Sequence, residues 1–284
     1  MVIGFIGCGK VGFSLGKYFS MKGITLSGYY SKLYNDAIEA SEFTNSKAYE
    51  NINDLARDSS MIFITTPDDS IHEVWQKISN LNLTNKIICH TSGSLTSSIF
   101  SNINNSDAFA YSIHPIFAFS DKYDSYKNLQ SAYFSIEGPE LHIHELKAFI
   151  ESLGNKAFVI NEEDKALYHL ASVTVSNLVL SLINTGCGYL SQCGLSENDA
   201  LEALLPLIQN NIDNIKMSGF ISALTGPVER NDLGTVKHHI GAIPIGDAIL
   251  YKNLSLKLLS LSEKKHKNKN YKKLKEYLGM QEDY

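Results

Sequence analysis

The chain opens Met1-Val-Ile-Gly-Phe-Ile-Gly7-Cys8-Gly9-Lys10-Val11-Gly12-Phe-Ser-Leu-Gly-Lys-Tyr-Phe-Ser20, and these residues decide the fold. Val2, Ile3, Phe5 and Ile6 form a short apolar run of the kind buried on both faces of a parallel sheet. A Gly7-x-Gly9-x-x-Gly12 turn follows, and then a helical pattern with Val11, Leu15, Tyr18 and Phe19 on one side. Strand, glycine turn and helix in that order are the context in which this motif binds a dinucleotide. Gly7 permits the tight turn, Gly9 lets backbone approach a pyrophosphate, and Gly12 lets the helix pack close to the strand. Residues Gly7, Cys8, Gly9, Lys10, Val11 and Gly12 are together the expected phosphate cradle, aided by the free N–H groups and partial positive charge of the helix start. The competing reading is a glycine turn with no ligand.

Working outward, short apolar runs alternate with polar helical stretches through the first half, as a doubly wound sheet requires. Strands are predicted at 2–6, 24–30, 61–65, 86–90, 108–113, 132–136 and 156–160, and helices at 10–21, 34–42, 69–79 and 140–153. The segment 115–131 shows little periodicity and reads as a loop. After Ile160 the strand patterns stop. One long apolar helix is expected over 162–192, and a second over 197–215 with a kink at Pro206. Helices over 232–241 and 243–262 complete the half. The fold class is therefore α/β, an N-terminal Rossmann doubly wound sheet (1–160) followed by an all-α domain (161–284) for substrate binding and dimerisation. A cleft between two such domains is the usual place for a substrate.

Composition narrows the partners. The chain has 284 residues, 44% hydrophobic and 19% charged, with net charge −5. The last 22 residues hold 7 Lys against 4 acidic residues, which leaves the body at −8. Such a body is a poor nucleic-acid surface. The Lys-rich tail reads either as a basic binding segment or as the solvated face of a terminal helix docked by Tyr271, Leu274 and Leu278. Met1 leads directly into a strand, so no signal peptide is expected. No apolar run is expected to reach membrane-spanning length, so no membrane partner is expected either. Cys8, Cys89, Cys187 and Cys193 form no paired pattern and are expected as free thiols in a reducing cytoplasm.

Four stretches bear on ligands in the first half. The strand Ile24–Tyr30 ends in Ser31-Lys32, where an NAD-selective fold would carry an acid. A hydroxyl and an ammonium suit a ribose 2′-phosphate and point to NADP(H). Alternatively Ser31 caps the next helix and Lys32 is solvated. Thr65, Thr66 and Pro67 end the strand at 61–65, where ligands sit in these sheets. His90-Thr-Ser92-Gly93 can approach a substrate closely or simply make a turn. His114, before Pro115, either reaches the cleft or satisfies a loop carbonyl.

In the second half, Lys165, His169, Ser172 and Ser176 fall on one side of an apolar helix. An unpaired ammonium is costly to bury, so this seam should face a wet cavity. The alternative is an exposed first turn with Lys165 paired to Glu162 or Glu163. Arg230 can bind a carboxylate bidentately, and Asp232 can cap the following helix. No His, Cys or acidic cluster has metal-ligand spacing, and Thr91-Ser92-Gly93-Ser94 lacks the G-x-S-x-G elbow of hydrolases.

The succession Gly7-x-Gly9-x-x-Gly12, His90-Thr-Ser-Gly93, His114-Pro115, Lys165-x-x-x-His169, Ser176-Asn177 and Leu224-Thr-Gly-Pro-x-x-Arg230-x-Asp232 resembles a family of two-domain Rossmann-like proteins. Their helical half was long catalogued as a domain of unknown function. Some members are PanG-type ketopantoate reductases. The wider group is similar to 6-phosphogluconate, 3-hydroxyisobutyrate and prephenate dehydrogenases and to pyrroline-5-carboxylate reductase. The resemblance implies an NADP-dependent oxidoreductase acting on a CH–OH/C=O group, with reduction of a small 2-oxo acid, ketopantoate first, as the expected reaction of pantothenate biosynthesis. It makes Lys165 the electrophile and proton donor and His169 its catalytic partner. Ser92, His114, Asn177 and Arg230 become substrate-binding residues. Better-known ketopantoate reductases carry Asn where this chain has His169 and Val173, a departure that makes His169 a candidate for the missing polar role or for the proton donor itself. Reduction of a cyclic imine, oxidation of a 3-hydroxy acid, and a non-catalytic NADP(H)-binding sensor are the alternatives. Related helical domains pair through long helices, which implies a homodimer.

Overall fold

The structure, a computed structural model, describes residues 1–244 and 246–279. Contacts divide it into two compact units, Met1–Leu180 and a second beginning at Ser181. The division thus falls beyond the end of the sheet near residue 160 that the sequence suggested, because the first helix after the sheet is anchored to it.

The first unit is built on eight strands: β1 (Val2–Ile6), β2 (Thr25–Tyr30), β3 (Lys47–Tyr49), β4 (Met61–Ile64), β5 (Ile87–His90), β6 (Phe109–Ile116), β7 (Tyr133–Glu137) and β8 (Lys156–Val159). They form one sheet in the order β3-β2-β1-β4-β5-β6-β7-β8. All neighbours pair in parallel except β6 and β7. Between the strands run α1 (Lys10–Met21), α2 (Tyr34–Thr44), α3 (Ile52–Asp58), α4 (Asp68–Ile78) and α5 (Ile143–Ser152). The chain order reverses direction at β1 and β4, the switch at which ligands of such sheets bind.

Strand side chains alternate between two cores, as a period of two demands. Met61 and Phe63 of β4 join Phe5, Phe13, Phe19 and Tyr29 on one face. Ile62 and Ile64 join Leu55, Trp75 and Ile88 on the other. β3 and α3 were not legible in the sequence: one is a three-residue edge strand and the other a seven-residue helix. β6 runs on to Ile116 past the predicted end at 113, because β7 returns antiparallel and pairs His114 with Ser135 and Pro115 with Phe134. β5 on its other side stops opposite Ser112, so the missing N–H of Pro115 costs no ladder bond there.

The predicted helix over 162–192 is two helices, α6 (Lys165–Val175) and α7 (Asn177–Gln192). The break is at Ser176, whose backbone is distorted within the right-handed helical region (φ −111°, ψ −79°) and whose hydroxyl donates to Ser172 O at 2.7 Å. By length and composition the stretch Glu162–Gln192 is apolar enough to cross a membrane, its most apolar 18 residues having mean hydropathy 1.6, contrary to the expectation that no run would be. Its start is nevertheless packed on the sheet through Lys165, which is 1% exposed.

In the second unit, the rest of α7 leads to α8 (Glu197–Ala223), α9 (Pro227–Arg230), α10 (Leu233–Ala242), α11 (Asp247–Lys265) and α12 (Lys272–Gly279). α8 continues well past the predicted 215 and contains Pro206. Its helical backbone is interrupted instead at Gly219 (φ 75°, ψ 169°). Asp232 caps α10, accepting from Thr235 N at 3.0 Å and Thr235 Oγ1 at 2.6 Å. The basic tail resolves to the docked-helix reading: Tyr271, Leu274 and Leu278 are buried in one core with Val228, Val236 and Leu259.

Candidate active site

The glycine turn sits at the C-terminal end of β1, and each glycine is required for a different reason. Gly7 has φ 109°, and a Cβ there would lie 2.9 Å from the backbone of Thr65 and Thr66. At Gly12 a Cβ would lie 2.4 Å from Gly7 O and from Thr65 Oγ1. At Gly9, by contrast, a Cβ would meet nothing within 4 Å. Packing therefore explains Gly7 and Gly12 but not Gly9, which borders open space at the start of α1. That helix start has no side-chain cap and no acid in its first turn, so its N–H groups remain available to an anion.

Two neighbouring stretches bear on the same ligand. No side chain caps α2, whose N-cap is Leu33. Ser31 is therefore not the helix cap of the alternative reading. Its hydroxyl interacts with the Cys8 thiol, while Lys32 is exposed. Burial, with Asp36 adding to it, pushes the Cys8 thiol up to about 12, so it stays protonated and is no reactive thiolate. Lys10 and Val11 open α1 beside it. Thr65 differs from expectation: its hydroxyl donates to Gly7 O at 2.8 Å and is spent holding the turn. Thr66 Oγ1 is buried with no partner among the described residues. Pro67 is exposed at the N-cap of α4. An uncapped helix start, the open side of Gly9 and an orphaned hydroxyl at Thr66 fit a dinucleotide pyrophosphate and its ribose.

A second group of side chains gathers at the adjoining ends of β5 and β6. Register places His90 opposite Ser112, and period two puts His114 on the same face as Ser112. α6 lays Lys165 and His169 over these strand ends, one turn apart. Lys165 Nζ donates to Ser112 Oγ at 2.6 Å. Burial pulls the ammonium down to about 8, with Glu137 and Asp68 acting against it. Lys165 is itself buried, at 1% exposure, rather than open to water. Its cost is met by a hydroxyl partner and two carboxylates, and neither Glu162 nor Glu163 bonds it among the described residues. Glu162 instead accepts from Thr96 Oγ1 at 2.9 Å.

Gly93 lies between two imidazoles. A Cβ on it would be 2.6 Å from His169 Nδ1 and 2.9 Å from His114 Nε2. His169 Nδ1 is buried without a partner among the described residues. His114 Nδ1 meets the Tyr168 hydroxyl, and burial beside Lys165 and His169 lowers the His114 pKa to about 3. His90 is also held neutral, lowered to about 4 by burial, bonding Thr96 O at 3.1 Å and accepting from Ser92 N at 3.2 Å.

Some predicted residues do other work. The Ser92 hydroxyl donates to Asp68 at 2.7 Å and accepts from Leu95 N at 3.0 Å, so it is occupied in holding the 92–95 turn against α4. Asn177 is exposed at the start of α7, accepting from Ser176 Oγ at 2.9 Å. Arg230 is exposed in α9 of the second unit. Asp68, Ser112 and Tyr168 were missed. Tyr168 is one turn from Lys165, and Ser112 shares the alternation of His114, so both had a periodic signal. Asp68 had none, because only folding brings it beside residues 92–94.

With this geometry in hand, comparisons place the chain among known folds. Residues 1–115 match the model of a Rossmann-like domain, and residues 132–258 match a domain of unknown function, DUF2520. No curated protein matches. A solved structure from Thermotoga maritima is 27% identical with TM-score 0.75, over 93% of this chain and 99% of its own. A proposed NADP oxidoreductase from Bacteroides fragilis is 21% identical with TM-score 0.72, over 91% and 98%. The 1-pyrroline-5-carboxylate reductase of Streptococcus pyogenes is 16% identical with TM-score 0.67, over 93% and 98%. The chain thus carries a Rossmann-like domain followed by a DUF2520 domain that begins at β7 and runs on through helices up to α11, on the fold of these structures.

Proposed function

We propose that this chain is an NADP(H)-dependent reductase of a small 2-oxo acid, with 2-dehydropantoate as the first substrate to test. The observation that carries the reading is Lys165, a buried ammonium with its pKa lowered to about 8, one helical turn from the unpartnered His169 at the strand ends. Ser31 and Lys32, at the end of β2, are the groups for a 2′-phosphate. The open side of Gly9 and the uncapped start of α1 are the groups for the pyrophosphate.

A nicotinamide cofactor, when bound, supplies the hydride. The chain's own task is to protonate the oxygen that gains charge and to hold the acid. Lys165 is suited to the first task, since a donor works best with a pKa near the working pH. Ser112 fixes its Nζ, and the carboxylates of Glu137 and Asp68 keep enough positive charge on it to give up a proton at neutral pH. His114 and His169, on either side of Gly93, are the polar groups left to contact substrate.

Reduction of a cyclic imine is the second reading, favoured by the fold similarity to a pyrroline-5-carboxylate reductase. An iminium already carries its proton, so that chemistry gives Lys165 no work. NADPH consumption across 2-oxo acids and cyclic imines separates the two. Turnover of 2-oxo acids that collapses in Lys165→Ala supports the first. Imine turnover that survives Lys165→Ala overturns it, and NADPH binding without turnover of any substrate leaves the sensor reading.

We also propose a homodimer. Apolar side chains of α8 stand open, including Met217 at 85% and Phe220 at 65% exposure, more than an isolated helix face leaves to water without reason. Light scattering should give twice the 31.5 kDa chain mass. A monomer at micromolar concentration would refute it.

A further inference from the structure

Tyr168 has no part in the proton transfer assigned to Lys165, yet it is half-buried and directed at an imidazole. Its hydroxyl meets His114 Nδ1, and the two rings stand edge to face with centroids 5.6 Å apart. On the far side of His114, Nε2 faces Gly93, and His169 Nδ1 faces the same glycine. The His114 and His169 rings are themselves edge to face at 6.4 Å.

We propose that Tyr168 is a positioning residue: it fixes His114 as the Nε2–H tautomer, so that His114 and His169 hold one oxygen atom of the substrate between them beside Gly93. The inference rests on the 2-oxo acid reading, whose site it details.

Distance permits it. Both nitrogens lie within 2.9 Å of one point, the place a Gly93 Cβ would occupy, so they are no more than about 5.5 Å apart. Two hydrogen bonds of about 2.8 Å to a shared oxygen, which must stand farther from the Gly93 Cα than a bonded Cβ would, need no greater separation than this bound. A side chain on residue 93 would push the rings apart, which gives the glycine a reason beyond its turn. The Tyr168 bond is assigned with the phenol as donor: burial raises it to about 12, so it keeps a proton to give to Nδ1. A neutral imidazole that accepts at Nδ1 must carry its proton at Nε2. His114 is held neutral by its surroundings, so Nε2–H is an uncharged donor. His169 Nδ1, buried and without a partner, is the group that lacks a bond until a ligand supplies one.

The oxygen has two sources in a 2-oxo acid that also bears a hydroxyl: that hydroxyl, or the oxo-acid group itself. Comparing 2-dehydropantoate with 3-methyl-2-oxobutanoate, which lacks the hydroxymethyl arm, separates them.

The test reads the tautomer directly. In full-length protein labelled with 15N at histidine, His114 Nδ1 should show the shift of an unprotonated nitrogen and Nε2 that of an N–H. In Tyr168→Phe the two forms should mix. Adding 2-dehydropantoate in the presence of NADP+ should move the His114 Nε2 and His169 Nδ1 resonances of the wild type. In Tyr168→Phe the KM for the acid should rise roughly tenfold, with NADPH affinity unchanged. If 3-methyl-2-oxobutanoate moves the same resonances, the oxo-acid group is the ligand; if only 2-dehydropantoate does, the hydroxyl is. A protonated His114 Nδ1 in the ligand-free wild type, or an acid that is turned over without moving either resonance, overturns the inference. The tautomer is read without substrate, so a correct tautomer with no turnover of any 2-oxo acid would count against the functional reading and not against the Tyr168–His114 lock. Should Tyr168→Phe fail to fold, the wild-type spectrum still decides.

Discussion

The glycine turn allows packing and ligand binding to be pulled apart with two methyl groups. At Gly12 an added Cβ falls 2.4 Å from both Gly7 O and Thr65 Oγ1, about 1 Å inside an ordinary contact. Relieving it by moving α1 away from the strand has an overpacking cost of about 1–3 kcal/mol. Weakening the Thr65–Gly7 hydrogen bond adds about 1 kcal/mol. The better helix propensity of Ala returns about 1 kcal/mol. Gly12→Ala should therefore destabilise the fold by roughly 1–3 kcal/mol, a shift of about 1 M in the urea midpoint for an m-value near 2 kcal/mol/M. At Gly9 the same methyl meets no protein atom, and the backbone (φ −74°, ψ −178°) suits any residue. Gly9→Ala should fold within about 1 kcal/mol of wild type. If the open side of Gly9 is where the pyrophosphate lies, the methyl overpacks the complex instead. The same 1–3 kcal/mol then becomes a roughly 5- to 150-fold loss of NADPH affinity. Urea unfolding and calorimetric NADPH titration of both variants read the two effects separately. Gly9→Ala binding NADPH as tightly as wild type would refute the cradle. Gly9→Ala unfolding as readily as Gly12→Ala would refute the packing argument.

Two further outcomes follow from the buried groups. Lys165 is lowered from 10.5 to about 8 in the folded chain, so above pH 8 the folded protein has released a proton that the unfolded chain still holds. Stability should thus rise with pH between about 8 and 10.5. Reductive turnover should fall over the same limb as the donor is lost. Lys165→Met should abolish both trends and cut turnover by at least about 100-fold; a pH–rate profile unchanged by the substitution would remove Lys165 from the proton path. Of the four thiols, Cys8, Cys89 and Cys187 are buried and Cys193 is exposed. A chromogenic disulfide reagent should react quickly with one equivalent, and Cys193→Ser should remove that phase. Fast reaction at Cys8 would contradict its raised pKa.

Much of this molecule is local, and local features were legible. The β1–α1 unit, the strand periodicity and the paired positions Lys165 and His169 depend on residues a few places apart, whose side-chain directions are set by the backbone period. The same is true of the Tyr271, Leu274 and Leu278 stripe. Short pieces were not legible. β3 and α3 are too brief to establish a period, and their stability comes from the sheet edge they join. The break at Ser176 was hidden because the apolar pattern runs through it.

Roles that depend on distant partners divide differently. The sequence by itself determined that a glycine cradle at residues 7–12 opens a doubly wound sheet, and that a Lys and a His share one face of a later helix. Both follow from spacing along a single element. Only the tertiary structure decided that Thr65 and Ser92 spend their hydroxyls on Gly7 and Asp68, that Lys165 is buried against Ser112, and that Gly93 sits between His114 and His169. A side chain's neighbour is chosen by what folding brings within about 3 Å, and these neighbours lie 21 to 76 residues away along the chain.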